Sequence, residues 1–216
     1  NCRNAYTTCV GCNTTAPYPT YLLNNTCYLA YDLPLTYGAN NGTYLGTTCT
    51  ANRCLNCSIN FTNCFQCKFQ TPDLFLHSTA ALNQCFQTTE IPDIFGADIA
   101  TYVTRSCLDT RCTKCAADYK ICTLCNSALT PIVYLYNGTC KVASDIPNPY
   151  GANLATRVAT KCQDPNCIQC KLNFSFCEAC STSGPETYLH PIQGTCFDKE
   201  AAPEGWGANK QNYELA

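Results

Sequence analysis

The chain has 216 residues, with 13 Lys plus Arg against 15 Asp plus Glu and a net charge of −2. So small and balanced a charge offers no basic face for nucleic acid or for an anionic membrane. Its 22 cysteines, about 10% of the residues, mark a disulfide scaffold, and the even number agrees with full pairing. Such bonds persist only outside the reducing cytosol, so the expected location is extracellular, secreted or cell-surface. No apolar run approaches transmembrane length. Without methionine or a signal peptide, and opening on Asn1, the sequence reads as a processed chain or a segment of a longer one.

In chain order, the first segment, 1–48, holds Cys2, Cys9, Cys12 and Cys27 at spacings x6, x2 and x14. Segment 49–106 holds Cys49, Cys54, Cys57, Cys64, Cys67 and Cys85 as C-x4-C-x2-C-x6-C-x2-C-x17-C. Segment 107–161 repeats this with Cys107, Cys112, Cys115, Cys122, Cys125 and Cys140, and 162–216 with Cys162, Cys167, Cys170, Cys177, Cys180 and Cys196; only the fifth interval changes, to x14 and x15. Cys2 aligns with the third cysteine of the later segments, so the first lacks the opening pair. A period of about 55 residues predicts four small modules, each touching chiefly its neighbours.

A second motif keeps the same register. Seven residues after each sixth cysteine comes Pro-x-x-aromatic-Gly-Ala-Asn/Asp, from Pro34, Pro92, Pro147 and Pro203. The glycine implies positive φ or close backbone approach, and the proline fixes the entry angle. The aromatics Tyr37, Phe95, Tyr150 and Trp206 are expected to pack over a neighbouring disulfide. Tyr21 to Cys27 and Tyr134 to Cys140 read as small hairpins with Asn-Asn or Asn-Gly at the turn. Segments 99–105 and 154–160 fit short strands or one helical turn, and no helix is expected. The predicted fold class is therefore small, disulfide-rich and β-poor: an elongated rod of tandem cysteine-rich modules with short hairpins and little regular structure.

A module of about 55 residues has too little interior to be secure by burial alone, so crosslinks must restrict the unfolded chain. Because the first segment lacks two cysteines and keeps four, the opening pair is expected to bond internally, as Cys49 to Cys54, Cys107 to Cys112 and Cys162 to Cys167. Third-to-fifth and fourth-to-sixth bonds are preferred for the rest, since closing C-x2-C strains the bridge. The rival is zinc, for which Cys54-x2-Cys57 and Cys64-x2-Cys67 offer four thiolates. The six-residue gap is short for a zinc ribbon, and the sequons point to an oxidising compartment, so no metal site is assigned. Thioredoxin-like chemistry would need C-x-x-C on a helix after a strand, and these pairs stand in Asn- and Thr-rich stretches.

Asn-x-Ser/Thr sequons fall at Asn13, Asn24, Asn41, Asn56, Asn60, Asn137 and Asn173. Asn24 and Asn137 share one repeat position, three before the sixth cysteine, and Asn60 and Asn173 share another. That recurrence argues for glycans at fixed module positions rather than for Asn and Thr serving turns alone. Asn56 is the exception, because Cys57 lies inside its sequon. The two histidines, His77 and His190, stand where sister modules have Leu23 and Tyr136, which makes them packing or surface residues rather than bases. No phosphate loop, nucleophile elbow or zinc-protease helix is present. No catalytic residue, no cofactor beyond N-linked glycans and no enzymatic activity are expected.

Tandem C-x2-C pairs between short Asn/Thr-rich segments, with Tyr-Leu-x-Asn-Gly-Thr-Cys at 134–140, resemble the growth-factor-receptor-type cysteine-rich repeats of ciliate surface proteins, including the immobilisation antigens. The resemblance implies an extracellular, often lipid-anchored coat protein without enzymatic activity; no hydrophobic anchor tail follows Trp206. The expected function is that of a structural extracellular glycoprotein, a repeat unit of a cell-surface coat or of a head-to-tail fibre. The alternative is an adhesive or receptor-like ectodomain binding a protein or glycan ligand, which calls for one divergent module with an aromatic and Arg patch. The expected partner is the chain itself, with no nucleic acid or small-molecule substrate, and membrane contact only through an anchor outside this chain. Twenty residues follow Cys196, which read as a linker with no module behind it. Its Trp206, Tyr213 and Leu215 are the candidate self-assembly residues, expected to dock around Cys2 to Cys12 of a second copy.

Overall fold

A computed structural model describes residues 2–3, 8–15, 17–68, 73–79, 83–182 and 187–216. At the head, β1 (Cys2–Arg3) pairs with β2 (Thr8–Cys9). Then β3 (Thr20–Leu23), β4 (Thr26–Leu29), β5 (Tyr37–Asn40) and β6 (Leu45–Thr48) form a sheet in the order β4-β3-β6-β5. The plan repeats. A hairpin of β7 (Cys54–Asn56) and β8 (Gln66–Cys67) precedes a sheet of β9 (Leu74–Ser78), β10 (Asn83–Gln87), β11 (Phe95–Asp98) and β12 (Val103–Ser106). Next come β13 (Cys112–Lys114) and β14 (Leu124–Cys125), followed by β15 (Val133–Tyr136), β16 (Thr139–Val142), β17 (Tyr150–Asn153) and β18 (Val158–Lys161). Last are β19 (Cys167–Gln169) and β20 (Ala179–Cys180), then β21 (Thr187–His190), β22 (Thr195–Asp198), β23 (Ala208–Asn209) and β24 (Glu214–Leu215).

The β-poor expectation is therefore wrong: roughly 40% of the described residues are strand, in four four-stranded mixed sheets plus hairpins. Each sheet joins two antiparallel hairpins by one parallel bridge, at Leu22 with Leu45, Leu76 with Val103, Leu135 with Val158 and Leu189 with Glu214. The second hairpin of each sheet comes from the stretch of 20 or 21 residues after the sixth cysteine, which reads as a linker because Pro and Gly punctuate it. Strands of two to five residues leave too little alternation to stand out in the sequence. The ambiguous segments 99–105 and 154–160 end in β12 and β18. Among the described residues, helix is limited to single 3-10 turns at Ala30–Asp32, Thr88–Glu90, Ala143–Asp145 and Lys199–Ala201.

The Gly-Ala-Asn/Asp motif builds the second hairpin. Its Asn or Asp turns back on the following backbone: Asn40 Oδ1 accepts from the Gly42 and Thr43 N–H groups, Asn153 Oδ1 from Ala155 and Thr156, and Asp98 Oδ1 from Ala100. Four residues beyond the motif, Tyr44, Tyr102, Arg157 and Tyr213 adopt φ of 54 to 59°. From that bend each carbonyl accepts the N–H of Leu22, Leu76, Leu135 or Leu189, which locks the two hairpins together.

Each sheet has its own small apolar centre, such as Tyr21, Leu23, Leu33 and Ala39, or Tyr134, Ile146, Ala152 and Ala159. The stretches between sheets are centred on sulfur, as in the cluster of Cys54, Cys57, Cys64, Leu74 and Cys85. Two compact units arise, one of residues 1–106 with 116–119, the other of 107–115 with 120–216.

Candidate functional site

Ten disulfides form among the described residues, where no cysteine is free, and they correct the expected pairing. First bonds third, as Cys49–Cys57, Cys107–Cys115 and Cys162–Cys170. Second bonds fourth, as Cys54–Cys64, Cys112–Cys122 and Cys167–Cys177. Fifth bonds sixth, as Cys67–Cys85, Cys125–Cys140 and Cys180–Cys196, with Cys12–Cys27 at the head. Cys9 is also oxidised, and the side chain of Cys2 lies outside the described residues.

The physical reason lies in the hairpin. Second and fifth cysteines face each other across it, at Cys54 with Cys67, Cys112 with Cys125 and Cys167 with Cys180. Each then bonds a cysteine outside the two strands. The fourth and sixth sulfurs, expected to bond, lie 3.5, 3.4 and 3.4 Å apart in Cys64 and Cys85, Cys122 and Cys140, and Cys177 and Cys196. They belong to different bridges. With the fifth cysteine they form triads whose sulfurs all fall within 4.8 Å, yet as disulfides these offer no thiolate to a metal.

The first-to-third bond staples a loop against the edge of a sheet. Ala39 N–H donates to Ser58 O at 2.9 Å and Phe61 N–H to Ala39 O at 3.3 Å. The same two bonds link Ala97 to Ala116 and Tyr119 (3.0 and 3.1 Å) and Ala152 to Lys171 and Phe174 (3.0 and 3.1 Å). Each loop thus acts as an irregular extra strand along β5, β11 or β17. Of the two expected reasons for the motif glycine, close approach applies. A methyl group on Gly38 would strike the Cys57 carbonyl oxygen and stand 2.6 Å from the Phe61 Cα; on Gly151 it would strike the Cys170 carbonyl oxygen and stand 2.8 Å from its Sγ.

These loops share a pattern that the sequon reading overlooked: an Asn or Asp three residues, and an aromatic four residues, after the third cysteine, at Asn60 and Phe61, Asp118 and Tyr119, and Asn173 and Phe174. A second overlooked residue is the aspartate two positions after the first cysteine in the last two modules. Asp109 Oδ2 accepts from the Cys140 N–H, and Asp164 Oδ2 from the Cys196 N–H, both at 2.6 Å. Burial alone would raise the Asp109 pKa, but the Cys140 and Arg111 N–H groups and the Arg111 charge hold it below the ordinary carboxylate value.

The motif aromatics do not lie over disulfides. Phe95 meets His77 edge-on at 4.7 Å, Tyr150 meets Tyr136 at 5.3 Å, Trp206 meets His190 at 4.1 Å, and Tyr37 packs on the Tyr21 cluster. Both histidines are buried in this packing. His77 Nδ1 lies 2.6 Å from Thr104 Oγ1, and burial holds its imidazole below the ordinary histidine pKa.

Six of the seven sequon asparagines are exposed, namely Asn13, Asn24, Asn41, Asn60, Asn137 and Asn173, while Asn56 is half-buried beside the fully buried Cys57. Asn60 and Asn173 make the same turn, accepting from the N–H and hydroxyl of Thr62 and of Ser175.

The tail is no loose linker. Leu215 is buried at 2% exposure in β24, Tyr213 stacks on Tyr188 at 6.1 Å, and Trp206 covers His190, so all three candidate self-assembly side chains complete the fourth sheet. No protein-family model matches the chain, and no curated protein is found to be related to it. It is a cysteine-rich protein in repeating modules, with ten disulfides between described residues. Its bonds belong to an oxidising environment, and no described helix is long and apolar enough to cross a membrane.

Proposed function

We propose that this chain is a structural extracellular glycoprotein, a repeat unit of a cell-surface coat or of a head-to-tail extracellular fibre. The observation that carries the reading is the recurrence of one oxidised module. The same three-bond set and the same mixed sheet return with the ionisable residues changed and the architecture kept. His77 and His190 are exchanged for Leu23 and Tyr136 at their sheet position, and Asp109 and Asp164 for Ala51 at theirs. Selection for a scaffold leaves that mark; selection for a reaction centre fixes particular side chains. Exposed sequons at matched positions support a glycosylated surface, and the likeness to ciliate coat repeats fits the same reading.

Two measurements on native material test it. Electron microscopy with an antibody to the chain is expected to label the cell surface or extracellular fibres; label confined to the cytosol would refute the reading. Intact mass before and after deglycosylation is expected to show occupancy at Asn24, Asn60, Asn137 and Asn173. Bare sites at these four with sugar on Asn13 or Asn41 would refute the argument from repeat position.

A further inference from the structure

Along the outer edge of β10 the backbone N–H groups of Asn83, Cys85 and Gln87 point away from the sheet. Leu76, which faces Cys85, spends its own N–H on the Tyr102 carbonyl, so the two form a non-bonded pair in which both residues turn their polar groups outward. Side-chain oxygens cap the flanking groups, Asn63 Oδ1 at Asn83 (2.8 Å) and Glu90 Oε2 at Gln87 (3.0 Å). The middle N–H, on a Cys85 that is 6% exposed, has no acceptor among the described residues. Its counterparts are satisfied. The Cys140 N–H donates to Asp109 Oδ2 and the Cys196 N–H to Asp164 Oδ2, and Arg111 Nε also donates to Asp109, through Oδ1. In the second module Ala51 stands at the place of the aspartate, while the arginine is kept as Arg53. Arg53 Nη1 pairs with Glu90, and its Nε, the atom that Arg111 turns to Asp109, has no acceptor among the described residues. An open cavity of about 520 Å³ lies there, lined in part by Ala51, Arg53 and Cys85.

We propose that this cavity binds the carboxylate of an acidic sugar, in the position that the Asp109 carboxylate takes in the third module. The Cys85 N–H and Arg53 Nε donate to the ligand as the Cys140 N–H and Arg111 Nε donate to Asp109, so a bond set built twice elsewhere in the chain from its own aspartates is completed here from outside. Glu90 does not compete for the same donors. It takes Arg53 Nη1 and the Gln87 N–H, and a guanidinium has further N–H groups to give. The rest of the wall selects the body of the ligand. Thr50, Asn52, Thr62 and Gln84 offer hydroxyls and amides, and Phe86 is the one large apolar residue among them. A ring bearing hydroxyls matches that lining better than an aliphatic acid does.

Nitrogen–proton NMR of the oxidised full chain, titrated with glucuronate, glucose and an acetylated aspartate amide, tests the site. Glucuronate is expected to shift the Cys85 amide and Arg53 Nε–H resonances saturably, glucose to leave them in place, and the aspartate derivative to bind about tenfold more weakly or worse. Ala51→Asp supplies the carboxylate from within the chain, as Asp109 and Asp164 do. It is expected to keep or raise the unfolding midpoint while weakening glucuronate binding by about tenfold or more, the worth of one hydrogen bond to a charged group. Arg53→Gln is expected to weaken binding comparably, and it carries the test if Ala51→Asp perturbs the fold. No shift with any of the three ligands, or glucuronate binding that either folded variant leaves untouched, overturns the site. Glucose binding as tightly as glucuronate overturns the carboxylate, and an aspartate derivative binding as tightly overturns the sugar in favour of an acidic peptide. None of these outcomes moves the surface label that tests the structural reading, so the two fail separately.

Discussion

The edges of β17 and β23 carry the same three residues, Gly-Ala-Asn, at 151–153 and 207–209. In β17 the glycine is buried beneath the Cys170 loop; just before β23 it is exposed. The hairpin forms in both, with its strand partner and its Asn turn, Asn153 to Ala155 and Asn209 to Gln211. A Cβ at Gly207 would meet nothing closer than Ala216 O at 3.9 Å, so that hairpin leaves room for a side chain. At Gly151 it is the segment laid across the strand that excludes one.

Substitution at the two glycines should separate these demands most widely. Gly151→Val drives side-chain atoms into the Cys170 backbone and is expected to cost about 3 kcal/mol or more, since overpacking typically costs 1–3 and backbone here cannot step aside. Gly207→Val should stay within about 0.5 kcal/mol of wild type, as exposed substitutions usually do. Chemical denaturation of both variants tests the pair, and equal losses would show that the strand itself demands glycine.

Removing the staple should act on the same contact a little less strongly. Replacing Cys162 and Cys170 by serine opens a bridge of sequence separation 8, expected to cost about 2–3 kcal/mol. Hydrogen exchange should localise the loosening at the Ala152 and Phe174 amides. Loosening spread evenly over the chain would contradict the staple.

The third sheet differs from its sisters at one position. Tyr44, Tyr102 and Tyr213 stack on Tyr21, Phe75 and Tyr188 at 6.1 to 6.3 Å, but the equivalent residue is Arg157, whose Nη1 is buried with no hydrogen-bond partner among the described residues. Arg157→Tyr should restore the ring pair on Tyr134 and raise stability by about 0.5–1.5 kcal/mol, read from the denaturation midpoint. A loss would mean that Arg157 is held by something other than this packing.

The smallest effect concerns His77, which faces Phe86, Phe95 and Thr104 where the first sheet has Leu23. Its folded pKa lies below the ordinary value of 6.5, so the unfolded chain binds the proton more readily. Stability is expected to be full above about pH 6.5 and to fall as pH drops toward the folded pKa. Thermal melts across that range should show the slope for wild type and a smaller one for His77→Leu; identical slopes would assign it elsewhere.

Much of this was legible in the sequence because disulfide modules repeat, and repeats expose their period. The cysteine register and the packing role of His77 and His190 follow from comparing modules, and the hairpins read at 21–27 and 134–140 from their turn residues lie within β3–β4 and β15–β16. The sheets stayed hidden because two of their four strands lie behind Pro and Gly, in a stretch that looks like a linker. Connectivity stayed hidden for another reason. Facing cysteines such as Cys54 and Cys67 were free to bond each other or to turn outward, and the choice depends on a loop brought in from another part of the module. Tyr213 and Leu215 looked unpaired for want of the parallel bridge from Leu189 to Glu214.

Non-reducing peptide mapping of the native protein tests the central claim most directly, because the first-to-third bond is what holds a loop on an edge. The account predicts Cys49 with Cys57, Cys107 with Cys115 and Cys162 with Cys170, and no free thiol. Peptides joining Cys49 to Cys54, or Cys162 to Cys167, would contradict it.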